Sequence, residues 1–155
     1  MNAAHLHLIL NHLPVLGTAF GLALLVFAQW KKSDEVKRVA LGVLVLVTLL
    51  AVPAYLTGEP AEDMVENLPG VAHAIVEQHE EAAQVAFIAQ IILGVGALGG
   101  MIAFRRGRTI PNWFAVSVLA AALVVSALMA RTANLGGEVR HTEIRSGSTP
   151  AERSP

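Results

Sequence analysis

Histidine is the residue type in this chain whose number and placement could support chemistry. The six histidines are, in chain order, His5, His7, His12, His73, His79 and His141. Imidazole is the commonest biological metal and haem ligand, and it titrates near neutral pH. Because the chain has no cysteine, thiolate ligation, disulfides and protein-bound iron–sulfur clusters are excluded. A fold that brings several of these histidines together would create a cofactor site.

Four long apolar segments must position the histidines. Hydrophobic residues make up 54% of the chain and charged residues only 15%, against roughly 25% charged residues in soluble proteins. The segments cover residues 13–30, 39–56, 82–104 and 113–130, and each approaches the ~20 residues that a helix needs to cross a bilayer. Spanning segments must be helical because lipid cannot satisfy free backbone groups. The sequence therefore predicts an all-α, four-transmembrane-helix domain over residues 1–145, followed by a disordered tail over residues 146–155.

The basic residues predict how this domain is oriented. Lys31, Lys32, Lys37 and Arg38 lie between the first two segments, and Arg105, Arg106 and Arg108 lie between the last two. Residues 55–81 carry seven acidic residues and no Lys or Arg. The positive-inside rule then places the basic connections in the cytoplasm and both termini on the outer side. All six histidines would face outward from a bacterial inner membrane, with the lipid bilayer as a partner, and a net charge of −1 argues against nucleic acid.

Small and polar residues within the apolar segments indicate how the helices pack. Gly17 and Gly21, and again Gly96 and Gly100, are spaced so that two helices could approach closely within one bundle. Gln90 lies in the middle of the third segment, where a polar side chain needs a hydrogen-bond partner. These positions predict close internal packing and a buried polar contact.

The connections on the histidine-bearing side carry further predictions. Residues 61–67 read as a short amphipathic surface helix, and a helical pattern resumes near Val71 and continues into the third segment. Gly136-Gly137 could adopt positive φ angles and turn the chain back over the bundle. Such a turn would bring Glu138 and His141 to the outer mouth.

Depth along the helices limits which histidines can meet. Counting about 1.5 Å per residue places His12 near the outer hydrocarbon boundary, with His7 and His79 a turn or more above it. Haem iron accepts two neutral imidazoles, and four-helix bundles readily house haem. Our leading hypothesis is a membrane-anchored electron-transfer protein with b-type haem, held by His12 and His79 as the first pair or by His7 and His141 as the second. Its partners would be respiratory or other redox subunits at the outer face.

Two alternative hypotheses come from the acidic residues on the same side. Histidine with carboxylate is the ligand set of non-haem iron, manganese, zinc or copper, and such a site could be enzymatic. Its ligands would come from His12, His79, Glu80, Glu59, Glu62 and Glu138. The other alternative is a cofactor-free accessory subunit whose acidic connection docks a partner. No HExxH or haem-attachment motif separates these hypotheses.

The two ends of the membrane domain resemble a known family. His7-Leu-Ile-Leu-Asn-His12-Leu-Pro14 is similar to the H-x4-H-x-P entry helix of a widespread bacterial four-span family, the domain of unknown function 2231. Leu-Gly-Gly-Glu-Val-Arg-His, ending at His141, is similar to the closing Gly-Gly-x-x-x-x-His signature of that family. The resemblance implies a four-span fold with His7, His12 and His141 as motif positions. Some relatives are joined to Rieske-type or cytochrome modules, which implies redox work at the outer face.

Overall fold

The computed structural model of the protein describes residues 2–66 and 68–145, which form a helical bundle. Its helices are α1 (Ala3–Leu10), α2 (His12–Lys31), α3 (Asp34–Leu56), α4 (Gly58–Glu62), α5 (His73–Ala103) and α6 (Asn112–Arg140), followed by a 3₁₀ turn over Thr142–Ile144. Four helical stretches are long and apolar enough to cross a membrane, when α1 and α2 are taken together. The predicted all-helical, multi-pass architecture is confirmed, and the predicted tail over residues 146–155 lies outside the described residues.

Local sequence signals explain where the first helices begin and end. Asn2 caps α1 by accepting a hydrogen bond from the backbone N–H of His5 at 2.9 Å. The chain breaks at Asn11 because Pro14 has no N–H for the carbonyl of Leu10. His12 compensates in part, since its Nδ1 donates to the carbonyl of Leu8 at 2.9 Å.

The spanning helices pack in the order α2, α3, α5 and α6, and α6 returns to α2. Glycines set the separation between α2 and α3. A Cβ atom at Gly17 would lie 2.5 Å from Val47, and one at Gly21 would lie 2.6 Å from Leu44. The close approach predicted for this glycine pair is confirmed. In the second pair only Gly100 lies at a close contact, where it packs against Phe114. A Cβ atom at Gly96 would have nothing within 4 Å.

A buried polar network joins three of the helices in the middle of the bundle. Gln90 on α5 is fully buried, and its Oε1 accepts from Thr18 Oγ1 at 2.8 Å while its Nε2 donates to Thr48 Oγ1 at 2.8 Å. The predicted need of Gln90 for partners is therefore met. Gly94 makes the contact with α3 possible, because a Cβ there would lie 2.2 Å from Thr48 Oγ1.

One end of the bundle, which we call the basic end, holds the connections α2–α3 and α5–α6. Asp34 on α3 accepts from Lys37 Nζ at 2.8 Å and from the backbone N–H of Ile110 at 3.1 Å. Arg38 donates to the carbonyls of Phe104 and Arg108. The first turns of α3 thereby fix the connection that leads into α6.

The opposite end, which we call the histidine end, carries α1, α4, the first turns of α5 and the last turns of α6. The short helix covers Gly58–Glu62 and is followed by turns, whereas the sequence predicted residues 61–67. Helix α5 begins at His73 and runs unbroken through its span, as predicted. The predicted turn at Gly136-Gly137 is wrong, because α6 continues through both glycines to Arg140. Neither glycine has a positive φ angle.

Candidate functional site

His7 lies on α1 and contacts the end of α3 and the start of α4. Its Nδ1 lies 3.1 Å from the carbonyl oxygen of Ala54 and 3.3 Å from Thr57 Oγ1. These acceptors are available because carbonyls in the last turn of a helix have no partner within that helix. A Cβ atom at Gly58 would lie 3.7 Å from the His7 ring, so the ring packs against the backbone there. The imidazole is half-buried with its orientation fixed.

His79 occupies the matching position on the opposite wall of the histidine end. It lies on α5, and its Nδ1 is 2.9 Å from the carbonyl oxygen of Thr132 on α6. A Cβ atom at Gly136 would lie 2.9 Å from the Cε1 atom of the ring. Gly136 therefore serves close packing of the imidazole instead of a chain reversal. His79, like His7, is half-buried and held by a backbone carbonyl.

The two imidazoles share a hydrogen-bonding pattern that suits metal ligation. They lie within electrostatic range of each other. Because a carbonyl oxygen can only accept, each Nδ1 must carry the hydrogen, and in the neutral ring Nε2 then holds a free lone pair. Ligating histidines usually donate their other N–H to a carbonyl or carboxylate in this way. The structure gives Nε2 of neither ring a hydrogen-bond partner among the described residues.

His12 and His141 lie in different surroundings from the half-buried pair. His12 is exposed, and its Nδ1 is occupied by the carbonyl of Leu8 in the same chain segment. The His141 side chain is 63% exposed, and its Nδ1 lies 2.9 Å from Glu143 Oε1. The hydrogen bond from its own backbone N–H and then that from His141 hold the pKa of the Glu143 carboxyl below its usual range. Because α6 is straight at Gly136 and Gly137, no turn in it folds His141 over the mouth.

The predicted carboxylate ligands are spread around the rim of this end. Burial, and then the charge of Glu80, raise the pKa of the Glu62 carboxyl, whereas Glu59 and Glu80 themselves are exposed. Glu138 Oε1 accepts from Asn134 Nδ2 at 2.6 Å on its own helix. Within residues 2–66 and 68–145, no three His, Asp or Glu side chains are grouped so that they could hold a metal ion. The predicted set for a non-haem metal is not assembled there.

Several residues that position the half-buried pair carried no clear sequence signal. Thr57 binds the carbonyls of Pro53 and Ala54 through its hydroxyl at 2.9 and 3.0 Å, which orders the segment that His7 contacts. Arg145 donates to the carbonyls of Glu138 and Val139 and to that of Gly70 before α5. The position of Thr57 just after a proline-containing helix end was a weak sequence signal for its contacts. No local sequence signal predicted the contacts of Arg145.

A buried acceptor adds to the polar character of this end. The side-chain oxygen Oδ1 of Asn11 is buried without a hydrogen-bond partner among the described residues. Asn11 follows His7 by four residues and therefore lies about one helical turn further into the bundle. Buried polar atoms without partners are uncommon in proteins and call for an explanation such as a bound water or group. The site thus combines two oriented imidazoles with an unpaired acceptor below one of them.

Comparison with known protein families, with curated proteins and with solved structures finds no match for this chain.

Proposed function

We propose that this chain is an integral membrane electron-transfer protein that holds b-type haem between His7 and His79 at the histidine end of its bundle. One observation carries the proposal: two half-buried imidazoles from different helices are oriented through Nδ1 by backbone carbonyls, and within residues 2–66 and 68–145 neither Nε2 atom has a hydrogen-bond partner. Haem supplies one-electron redox chemistry when bound. His7 and His79 would hold the iron through imidazole rings of fixed orientation, and their partial burial would restrict the access of water.

The ligand set favours haem over a non-haem ion. A porphyrin provides four of the six iron ligands, so two imidazoles complete the coordination. Non-haem sites usually need three or four protein ligands, and no such group occurs among the described residues. The proposed pair differs from the one that the sequence favoured, since exposed His12 gives way to half-buried His7.

A seam between the two imidazoles gives a large planar group a way in. Helices α1 and α4 pack on each other and on α3, but neither packs extensively on α5 or α6. His7 belongs to the first unit and His79 to the second. Three small buried residues lie at this end, namely Ala54 on α3, Ala61 on α4 and Ala82 on α5. Separating α1 and α4 from α5 would therefore disturb few large side-chain contacts.

The proposal places the histidine end on the outer side of a bacterial inner membrane. Its support is the charge distribution, because seven Lys and Arg residues lie in the two connections of the basic end or in the adjoining helix turns, and basic connections stay in the cytoplasm. A reporter that is active only outside the cytoplasm should work when fused after Pro155 and fail when fused after Ser33. The reverse pattern in cells would put the histidine end on the cytoplasmic side.

The direct experiment is a visible spectrum and a metal analysis of the purified full-length protein after expression with ample haem. We expect a sharp α-band on reduction with dithionite and about one haem per chain, with two axial imidazoles. A colourless protein with stoichiometric iron, zinc, copper or manganese would instead support the His and Glu metal site. A protein free of both would favour the accessory subunit.

A further inference from the structure

The basic end contains a cavity that the redox proposal does not use. Its volume is about 400 Å³, and it opens between the end of α2 and the start of α6. The lining residues are Gln29, Lys32, Lys37, Thr109, Ile110, Pro111 and Asn112. Ligand sites of proteins typically measure about 300–1,000 Å³. The cavity is therefore large enough for a small polar ligand or a lipid headgroup.

Two lysines in the lining give this cavity positive charge, Lys32 at the end of α2 and Lys37 on α3. Lys37 is only 7% exposed, and two of its three ammonium hydrogens bind Asp34 Oδ1 at 2.8 Å and the carbonyl of Ile110 at 3.3 Å. One ammonium hydrogen is left over for a ligand. Lys32 ends α2 with a left-handed backbone, φ +51°, and its charge is exposed at the cavity. Asp34 balances one of these charges, so the lining keeps a net positive charge.

Neutral hydrogen-bond donors complete the lining. Helix α6 starts without a side-chain cap and has no acidic residue in its first turn, so its first backbone N–H groups are available to an anion. Gln29 Nε2 donates to Asn112 Oδ1 at 2.9 Å, which ties the end of α2 to the start of α6 and leaves the Asn112 amide hydrogens for a ligand. The hydroxyl of Thr109 lies in the same lining.

The depth of the cavity points to a lipid. Trp30 is 74% exposed and Trp113 is 68% exposed, and each is adjacent in sequence to a residue of the lining. Exposed tryptophans on spanning helices lie at the level of the lipid headgroups. A phosphate bound between Lys32, Lys37 and the start of α6 would thus lie at the depth where phospholipid phosphates occur.

We propose that this cavity binds the phosphate headgroup of an anionic phospholipid from the leaflet at the basic end. Basic pockets between spanning helices are a recurrent way of holding such headgroups. The bound lipid would bridge α2 and α6 through Lys32 and Asn112. Lipid binding at this end does not depend on whether a haem is present at the other end.

The test compares three full-length variants in detergent micelles supplied with equal phosphatidylglycerol and phosphatidylcholine, with retained lipid counted by native mass spectrometry. Wild type should retain one phosphatidylglycerol molecule in preference to phosphatidylcholine. Lys32→Gln should weaken this binding about fivefold, and Asn112→Asp should weaken it about tenfold or more, since a carboxylate then faces the phosphate. Lys31→Gln is the matched control, because Lys31 lies 4.4 Å over the Trp30 ring and does not line the cavity. The binding of phosphatidylglycerol to Lys31→Gln should equal that of wild type.

A folding defect is distinguished by the thermal midpoint of Asn112→Asp. A carboxylate at a helix start is favourable, so this variant should be at least as stable as wild type while losing the lipid. Equal loss in Lys31→Gln and Lys32→Gln, or equal retention of both lipids by wild type, would overturn the proposal. The lipid proposal would also be overturned, in favour of a free anion as the ligand, by one further outcome. In that outcome inorganic phosphate displaces phosphatidylglycerol and stays bound to wild type but not to Asn112→Asp.

Discussion

Replacing Gly94 by alanine is expected to destabilise the protein by about 3 kcal/mol, the upper part of the range for overpacked cores. The added Cβ would lie 2.2 Å from Thr48 Oγ1 and 2.6 Å from Thr48 Cβ. Rotation of the Thr48 side chain cannot relieve this contact, because its Cβ atom does not move when χ1 changes. Helices α3 and α5 must therefore separate, which also breaks the hydrogen bond that Gln90 Nε2 donates to Thr48 Oγ1. Unfolding in detergent, followed by circular dichroism, measures the loss.

Gly96→Ala is the matched control for this prediction. Gly96 lies on the same helix two residues further on, and nothing lies within 4 Å of its Cβ position. Its substitution should change the stability by no more than about 0.5 kcal/mol. If Gly94→Ala were as stable as Gly96→Ala, the close contact between α3 and α5 would not exist in the folded protein.

Replacing Gly136 by alanine is expected to lower the cofactor content about tenfold or more, although no ligand is removed. The new Cβ would lie 2.9 Å from Cε1 and 3.3 Å from Nδ1 of His79. The ring must shift, and the hydrogen bond from Nδ1 to the carbonyl of Thr132 is then lost. Removing the partner that orients a metal ligand typically costs 10–100-fold in metal affinity. Haem per purified chain gives the measured value.

Gly137→Ala controls for the loss of a glycine at this place in α6. Its Cβ would lie 3.4 Å from Ile144 Cδ1, an ordinary van der Waals contact. We expect this variant to keep the wild-type haem content. Normal haem in Gly136→Ala would show that the packing of His79 against α6 has no part in cofactor binding.

Periodicity and composition were sufficient to predict the spanning helices and the early start of α5, but not where α6 ends. Apolar segments of about 20 residues reveal what must lie in lipid. Helices α5 and α6 extend beyond that length, to His73 and Arg140, through polar residues that still form helix. Gln90 was recognised as needing a partner because its polar amide lies within an apolar segment. Its partners, Thr18 and Thr48, could not be identified because they depend on the rotation of three helices.

The candidate site was only partly accessible from the sequence, for a similar reason. His79 was selected because its depth along the third apolar segment places it within reach of the histidines of the first. The choice between His7 and His12 depended on which of the two faces α3 and α4, and sequence spacing does not determine that rotation of the helix. Gly-Gly pairs occur both in turns and in close helix contacts. The contact of Gly136 with His79 shows that this glycine serves a close contact between helices and not a turn.

The central claim, that His7 and His79 hold the cofactor, is tested most directly by the haem content of four single alanine variants. His7→Ala and His79→Ala should each insert into the membrane and lose the dithionite-reduced α-band, because either leaves the iron with one axial imidazole. His12→Ala and His5→Ala, which remove exposed imidazoles at the same end, should keep the band at wild-type intensity. Loss of the band in His12→Ala together with its retention in His7→Ala would contradict the claim and return the site to the pair that the sequence alone favoured.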